Sequence, residues 1–335
     1  MTKHSCCLVT GGAGFIGSHL CEALLRLGRQ VVLLDNFNTF YDPAIKEENL
    51  RQVRATAASC GSELVVCKGD IRSVADVERA FEALQDPAGA AVIHLAAMAG
   101  VRPSIADPLY YNDVNINGTL QILEACRRFK VNHLAFASSS SVYGNNRKVP
   151  FAESDNVDFP ISPYAATKKA GELLCHNYHH LYGLSVACLR FFTVYGPRQR
   201  PDLAIHKFTR LLAEDQSLPF FGDGSTRRDY TFITDTLQGI LGSLEWLAAS
   251  SSPIYDIFNL GESRTISLSE LVDLLGRTMG KTPRLERLPL QPGDVDCTFA
   301  DISKSREMLN YSPRVEIEEG LAEFVRWYRD WKKIS

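Results

Sequence analysis

Thr10-Gly11-Gly12-Ala13-Gly14-Phe15-Ile16-Gly17 is the stretch that decides the fold. It follows a short apolar run, Cys7 to Thr10, and opens a helical pattern, with glycines at 11, 14 and 17. Between a strand and a helix this spacing has a physical reading. Gly11 permits the tight turn, Gly14 lets the backbone approach a pyrophosphate, and Gly17 lets the helix pack closely on the strand. Phe15 and Ile16 begin the helix, whose free N–H groups favour an anion. The next apolar run, Val31 to Leu34, ends in Asp35-Asn36. A carboxylate there accepts the adenosine ribose hydroxyls and repels a 2′-phosphate, so the bound dinucleotide is expected to be NAD rather than NADP.

Further short β-rich runs lie at Leu64 to Cys67, Ala91 to Leu95, Leu134 to Ala137 and Val186 to Leu189, with amphipathic helical stretches between them. Strand and helix in alternation mean parallel pairing and a doubly wound α/β sheet that binds its ligand at the carboxyl edge. Asp70 and Ile71 after the third run would face the adenine. Leu95-Ala96-Ala97 after the fourth supply small residues beside the cofactor. The rhythm breaks after Arg190, where Gly196-Pro197, Pro201, Pro219 and Gly222-Asp223-Gly224 mark loops of a substrate-covering region. Pro253 to Leu260 reads as one more strand that returns to the sheet, which would interlace the two regions.

Chemistry is expected at Tyr164 and Lys168, four residues apart at the start of the helix after the fifth strand. A free phenol titrates near pH 10, and a lysine one helical turn away, joined by the charge of oxidised nicotinamide, would lower that value. Ser138-Ser139-Ser140-Ser141 ends the fifth strand, where a hydroxyl can relay a proton between a substrate alcohol and Tyr164. His176, His179 and His180 share a helix face, but no glutamate completes a zinc motif, so they read as helix surface or subunit contact and no metal is expected.

Composition narrows the partners. The 335 residues are 45% hydrophobic and 22% charged with a net charge of −3, which offers no field for nucleic acid. Nine cysteines at irregular spacing, without a CxxC pair, fit a reducing cytoplasm. No long apolar window suggests a signal peptide or a transmembrane segment.

Together these residues resemble the extended short-chain dehydrogenase/reductase family, in its NAD-dependent nucleotide-sugar epimerase and dehydratase branch. The likeness is carried by the glycine loop, Asp35, Ser139 to Tyr143, Tyr164, Lys168, Arg228-Asp229-Tyr230 and Gly293-Asp294, in the family's order over nearly the whole chain. It implies a Rossmann domain for NAD, placed at residues 1–190 and 228–262, and a smaller UDP-sugar domain at 191–227 and 263–335. It also implies a homodimer built from helices near Tyr110 to Arg128 and Tyr164 to His180. Tyr164, Lys168 and Ser139 would be catalytic, with Ser140, Ser141, Thr193, Arg200, Arg228 and Asp294 on the substrate.

Dehydratases of the branch look like Thr-Asp-Glu where this chain has Ser139-Ser140-Ser141. Without those carboxyls elimination is disfavoured, and oxidation followed by reduction at one carbon remains. Tyr195-Gly196-Pro197-Arg198-Gln199-Arg200-Pro201-Asp202 resembles the loop of the branch's uronate 4-epimerases, in which Arg200 would meet a C6 carboxylate. Phosphate binding or a dimer salt bridge is the other use of that arginine. Relatives often carry an arginine just before Gly293-Asp294, where this chain has Leu290-Gln291, so diphosphate charge falls to Arg228. The implied reaction is C4 epimerisation of a UDP-sugar through a 4-keto intermediate, UDP-glucuronate to UDP-galacturonate. Neutral UDP-sugar epimerisation and UDP-glucuronate decarboxylation are the alternatives.

Overall fold

A computed structural model describes residues 4–289 and 295–334. Six strands come first: β1 (Cys6–Thr10), β2 (Gln30–Asp35), β3 (Leu64–Lys68), β4 (Ala91–His94), β5 (His133–Ser139) and β6 (Ser185–Phe191). Four short strands follow, β7 (Thr193–Tyr195), β8 (Leu218–Phe221), β9 (Arg227–Arg228) and β10 (Tyr230–Phe232). They precede β11 (Tyr255–Leu260), β12 (Ile266–Ser267) and β13 (Leu285–Leu288). Seven strands make one sheet in the order β11-β6-β5-β4-β1-β2-β3, every neighbouring pair parallel. The return of a late strand to the sheet is thus borne out at β11.

Strands covered on both faces read as apolar runs rather than alternating ones, and β1, β2 and β4 are buried throughout. Helices Phe15–Arg26, Pro43–Cys60 and Ile233–Ala249 pack one face through Leu20, Leu24, Leu50, Val53, Ile240 and Leu244. Val74–Glu82, Gly118–Phe129 and Pro163–Tyr182 pack the other through Val77, Phe81, Ile122, Leu123, Cys175 and Tyr178. A third apolar cluster joins Val194, Phe208, Phe220, Phe232, Leu275 and Phe324, and Phe15 of the glycine loop belongs to it. The short strands pair within this second region, β7 with β10, β8 with β13 and β9 with β12. No described helix is long and apolar enough to cross a membrane.

Two buried polar groups matter for stability. Arg190 in β6 and Glu172 on the Pro163–Tyr182 helix, each 1% exposed, form a two-point ion pair at 2.8 and 2.9 Å. Ser138 donates to the same carboxylate at 2.6 Å, and Arg190 reaches Tyr143 Oη at 3.0 Å. Removing one partner of such a pair strands the other charge in the interior. Glu172→Ala is therefore expected to cost about 3–5 kcal/mol in urea unfolding, and an unchanged midpoint would show that the pair is dispensable.

Glu262, beyond β11, is buried with Oε2 unpartnered. Burial first, then the Asp235 and Asp229 carboxylates, push its carboxyl up from 4.5 to about 8. A raised folded value means that its contribution is complete below the unfolded value and is lost as pH rises through about 8. The melting temperature should accordingly fall between about pH 5 and about pH 8.5 more steeply for the parent than for Glu262→Gln; parallel curves would remove Glu262 as the cause.

Candidate active site

The strand order reverses beside β1: β2 lies on one side and β4 on the other, so a crevice opens between the carboxyl ends of β1 and β4. Gly11 floors it at φ +70°, and a Cβ there would lie 2.9 Å from the backbone nitrogen of Ala96. A Cβ on Gly17 would lie 2.2 Å from the Gly11 carbonyl oxygen, and one on Gly14 would lie 3.1 Å from it. The Phe15–Arg26 helix starts without a side-chain cap or an acidic first turn, which leaves its N-terminal N–H groups open to an anion. The bare backbone, the tight packing behind it and the positive helix end all fit a dinucleotide pyrophosphate.

Asp35 ends β2 buried, its oxygens accepting from Ala13 N at 3.1 Å and Phe37 N at 2.8 Å, with Lys46 Nζ at 3.7 Å. Two bonds leave a carboxylate room for ribose hydroxyls. Asn36 donates to Asp70 at 3.0 Å, and Arg72 grips the Asp70 carboxylate and holds it down at about 2. Asp70 is thus engaged within the protein, while Gly69 and Ile71 on either side line the cleft along with Leu95, Ala96 and Ala97. The cleft, about 600 Å³, runs from Asp35 past Tyr164 to Arg228.

Ser162 caps the helix carrying Tyr164, accepting from Ala165 N at 3.1 Å, and Pro163 fills its first turn. Lys168 Nζ donates to the Ala137 carbonyl at 2.7 Å and lies 5.9 Å from the centre of the Tyr164 ring. Burial lowers its pKa to about 8. Within the chain alone burial pushes the Tyr164 phenol up, opposed by a hydrogen bond with Ser139 and by the charge of Arg200. Desolvation of the ring outweighs the help it receives within this chain, and Lys168 is turned toward the end of β5.

The serines divide their work. Ser138 is consumed by Glu172, whereas Ser139 reaches Tyr164 and accepts from Ser141 N at 3.2 Å. Ser140 lines the cleft, as does Ser141, whose buried hydroxyl has no partner. Thr193, Arg200 and Arg228 line the cleft as well. Arg200 pairs with Asp202 at 3.0 and 2.7 Å, reaches the Ala99 carbonyl at 3.5 Å and lies over the Phe40 ring at 5.4 Å. Burial works against its charge, but Asp202 raises it overall. Asp294 and Gly293 lie outside the described residues.

Asn115 escaped the sequence reading. It lies in a π-helical turn, Asp113–Asn117, and ties Met98 at 2.8 and 2.9 Å to Thr167 at 3.0 Å. Thr167 in turn donates to the Tyr164 carbonyl at 2.8 Å. A π-turn has no simple sequence signature, but such turns recur at functional sites. Glu172 was also missed, although its place one turn beyond Lys168 marks it as facing inward. Of the three histidines, His179 bonds the Leu184 carbonyl at 2.9 Å and His176 packs on Tyr255 at 5.0 Å. Among the described residues no group of three His, Cys, Asp or Glu could hold a metal.

Comparison with known proteins agrees with this geometry. The GDP-mannose 4,6 dehydratase family profile matches residues 8–324. A UDP-glucuronate 4-epimerase of Thermodesulfobacterium geofontis is 42% identical over 324 residues, 96% of each chain. The crystal structure of UDP-glucuronic acid 4-epimerase from Bacillus cereus, in complex with UDP-glucuronic acid and NAD, superposes with a TM-score of 0.88 at 37% identity, covering 97% of this chain and 99% of that one. A UDP-N-acetylglucosamine 4-epimerase from Methanobrevibacter ruminantium has a TM-score of 0.85 at 31% identity, covering 98% and 99%. With its glycine crevice, Tyr164 and Lys168 in the same order and fold, the chain belongs to the NAD-dependent nucleotide-sugar epimerase and dehydratase family of short-chain dehydrogenase/reductases.

Proposed function

We propose that this protein is an NAD-dependent 4-epimerase that interconverts UDP-glucuronate and UDP-galacturonate. The observation that carries the reading is Arg200, brought into the cleft close enough to Tyr164 for each to bias the other's charge. A sugar held with C4 at Tyr164 would then have its C6 carboxylate within the arginine's field. Relatives similar to this chain over almost their full length include UDP-glucuronate 4-epimerases.

Gly11, Gly14, Phe15, Ile16 and Gly17 would hold the pyrophosphate of NAD, Asp35 and Asn36 its adenosine ribose, Asp70 and Ile71 its adenine, and Leu95 to Ala97 with Lys168 the nicotinamide end. When bound, NAD supplies the hydride acceptor and donor at C4. Tyr164 takes the proton of the C4 hydroxyl, with Ser139 relaying it, and returns it when the alcohol re-forms on the opposite face. Lys168 keeps positive charge beside the phenol at neutral pH. Between the two transfers the sugar turns about its diphosphate, whose charge Arg228 offsets, and Asp294 would be a further substrate contact. The 4-keto uronate is a β-keto acid that loses carbon dioxide when its carboxylate stands perpendicular to the carbonyl. Arg200 with the hydroxyls of Ser140, Ser141 and Thr193 holds the carboxylate out of that orientation.

One observation favours a neutral sugar instead: Asp202 already satisfies Arg200 at two points. Purified protein, without added cofactor, should convert UDP-glucuronate to UDP-galacturonate by proton NMR and leave UDP-N-acetylglucosamine unchanged; turnover of the neutral sugar alone moves the assignment. Tyr164→Phe should lower kcat about 10²- to 10⁴-fold. Arg200→Ala should lower kcat/KM for UDP-glucuronate by roughly 10- to 100-fold and raise the UDP-pentose fraction. Equal losses on acidic and neutral substrates would return that arginine to a structural role.

The nine cysteines are all free thiols, seven of them buried, which supports a cytoplasmic setting. A homodimer completes the reading. Along the Pro163–Tyr182 helix Ala166, Leu173, Asn177 and Leu181 form an exposed stripe, and Leu173 is 60% exposed. Leu173→Glu should halve the mass measured by light scattering, whereas a parent that already runs as a monomer refutes the pairing.

A further inference from the structure

The loop that delivers Arg200 is strained and held from two sides. Gly196 has φ +139° and Arg198 has φ +66°, a left-handed conformation that a non-glycine residue adopts only at a cost in backbone strain. Such strain persists only where the surroundings over-determine it. Here they do. Arg198 Nη1 lies 2.6 Å from Glu22 Oε1 as a charge contact and donates to Ser18 Oγ at 3.3 Å. His19 Nε2 donates to the Pro197 carbonyl at 2.9 Å. Burial pushes the Glu22 carboxyl up, but Arg198 and Arg26 outweigh it and hold the group below its usual value, as a charged partner.

Ser18, His19 and Glu22 all lie on the Phe15–Arg26 helix, whose N-terminus faces the pyrophosphate cradle. On the other side Gln199 donates to the Val194 carbonyl at 3.0 Å, and its own carbonyl accepts from His206 Nδ1 at 2.5 Å. His206 is walled by the rings of Phe324, Trp327, Tyr328 and Trp331 at 5.6–5.8 Å. Arg198 and Gln199 are thus buried anchors, and the next residue, Arg200, projects into the cleft.

We infer that Arg198 is a positioning residue: its ion pair with Glu22 locks the left-handed turn that aims Arg200 at the C6 group of the sugar. The lock also ties uronate recognition to the helix that meets the cofactor, so the aim of Arg200 is set from the cofactor side of the cleft. This rests on the reading of Arg200 as the carboxylate partner. Arg198 touches neither substrate nor reacting atoms, and its effect passes through Arg200.

Arg198→Gly tests the lock directly, because glycine adopts φ +66° without strain while the ion pair is lost. Glu22→Gln removes the charge at nearly constant volume and decides the matter if the glycine variant folds poorly. For each, bound NAD released on denaturation, thermal midpoint, kcat and KM for UDP-glucuronate, and the UDP-pentose fraction are measured. The expected result is a folded protein that retains NAD, with kcat/KM for UDP-glucuronate down roughly 10- to 100-fold and more UDP-pentose. Arg198→Lys should recover part of the loss. In an Arg200→Ala background Arg198→Gly should add almost nothing, since residues acting through one another are not additive. Kinetics and partitioning equal to the parent in folded Arg198→Gly, with Arg200→Ala still impaired, overturn the positioning role alone; an Arg200→Ala enzyme with unaltered uronate turnover overturns both.

Discussion

Everything in the cleft depends on one close approach, that of the Gly11 backbone to the backbone of Ala96. β1 and β4 are neighbours, yet the chain makes two crossovers on the far side of β1 before it reaches β4. The loops that leave their carboxyl ends therefore diverge, and the space between them is the crevice. A Cβ on Gly11 would press into Ala96 at 2.9 Å, so this position must be bare for the floor to close. Thr10 reinforces it: its hydroxyl accepts from Ala96 N at 3.1 Å and pairs with buried His94 at 2.7 Å, which continues to Thr119 at 3.1 Å. A second support comes from Asn115, which holds the Met98 backbone and, through Thr167, the turn that presents Tyr164. The floor and the reactive group are thus parts of one hydrogen-bonded frame.

That frame sets the electrostatics. Tyr164 sits where its ring is desolvated, and burial alone makes its phenol a weaker acid than it is in water. Ser139 and Arg200 offset part of this, while Lys168 is drawn to the Ala137 carbonyl. Positive charge in the cleft, such as oxidised nicotinamide would bring, works against that burial. Burial has the opposite effect on the lysine, bringing it to about 8, so desolvation moves both members of the pair toward their uncharged forms.

How much of this was readable from residues depends on whether the determinant is local. The glycine loop and Asp35 are local: strand, turn, helix and strand end lie within the 30 residues from Cys6 to Asp35, and their spacing carries the geometry. β11 was readable for the same reason, as a short β-rich run after a helix. The division of labour among Ser138, Ser139, Ser140 and Ser141 was not. Identical side chains take different roles according to what packs behind them, and Ser138 is claimed by Glu172, 34 residues away in sequence. The Arg198–Glu22 contact spans an even greater separation, and the left-handed turn it accompanies leaves no mark in a Gly-Pro-Arg-Gln string. Helical spacing gives the proximity of Tyr164 and Lys168 but not the orientation of the lysine head group, which turns to the Ala137 carbonyl.

The long-range contacts also explain why a second region is laced through the sheet instead of being appended to it. Phe15, the first residue of the cofactor helix, buries its ring in the apolar cluster of the second region, and Arg198 returns the connection by pairing with Glu22 two turns further along that helix. One helix thus carries a pyrophosphate cradle at its tip, an apolar anchor at its first residue and a buried charge on its flank. Because an α-helix is stiff, these three features are fixed relative to one another within a few turns. A sugar that must turn over between two transfers needs walls that do not drift while it moves, and pinning both walls to the same rigid rod supplies that without a separate closing element.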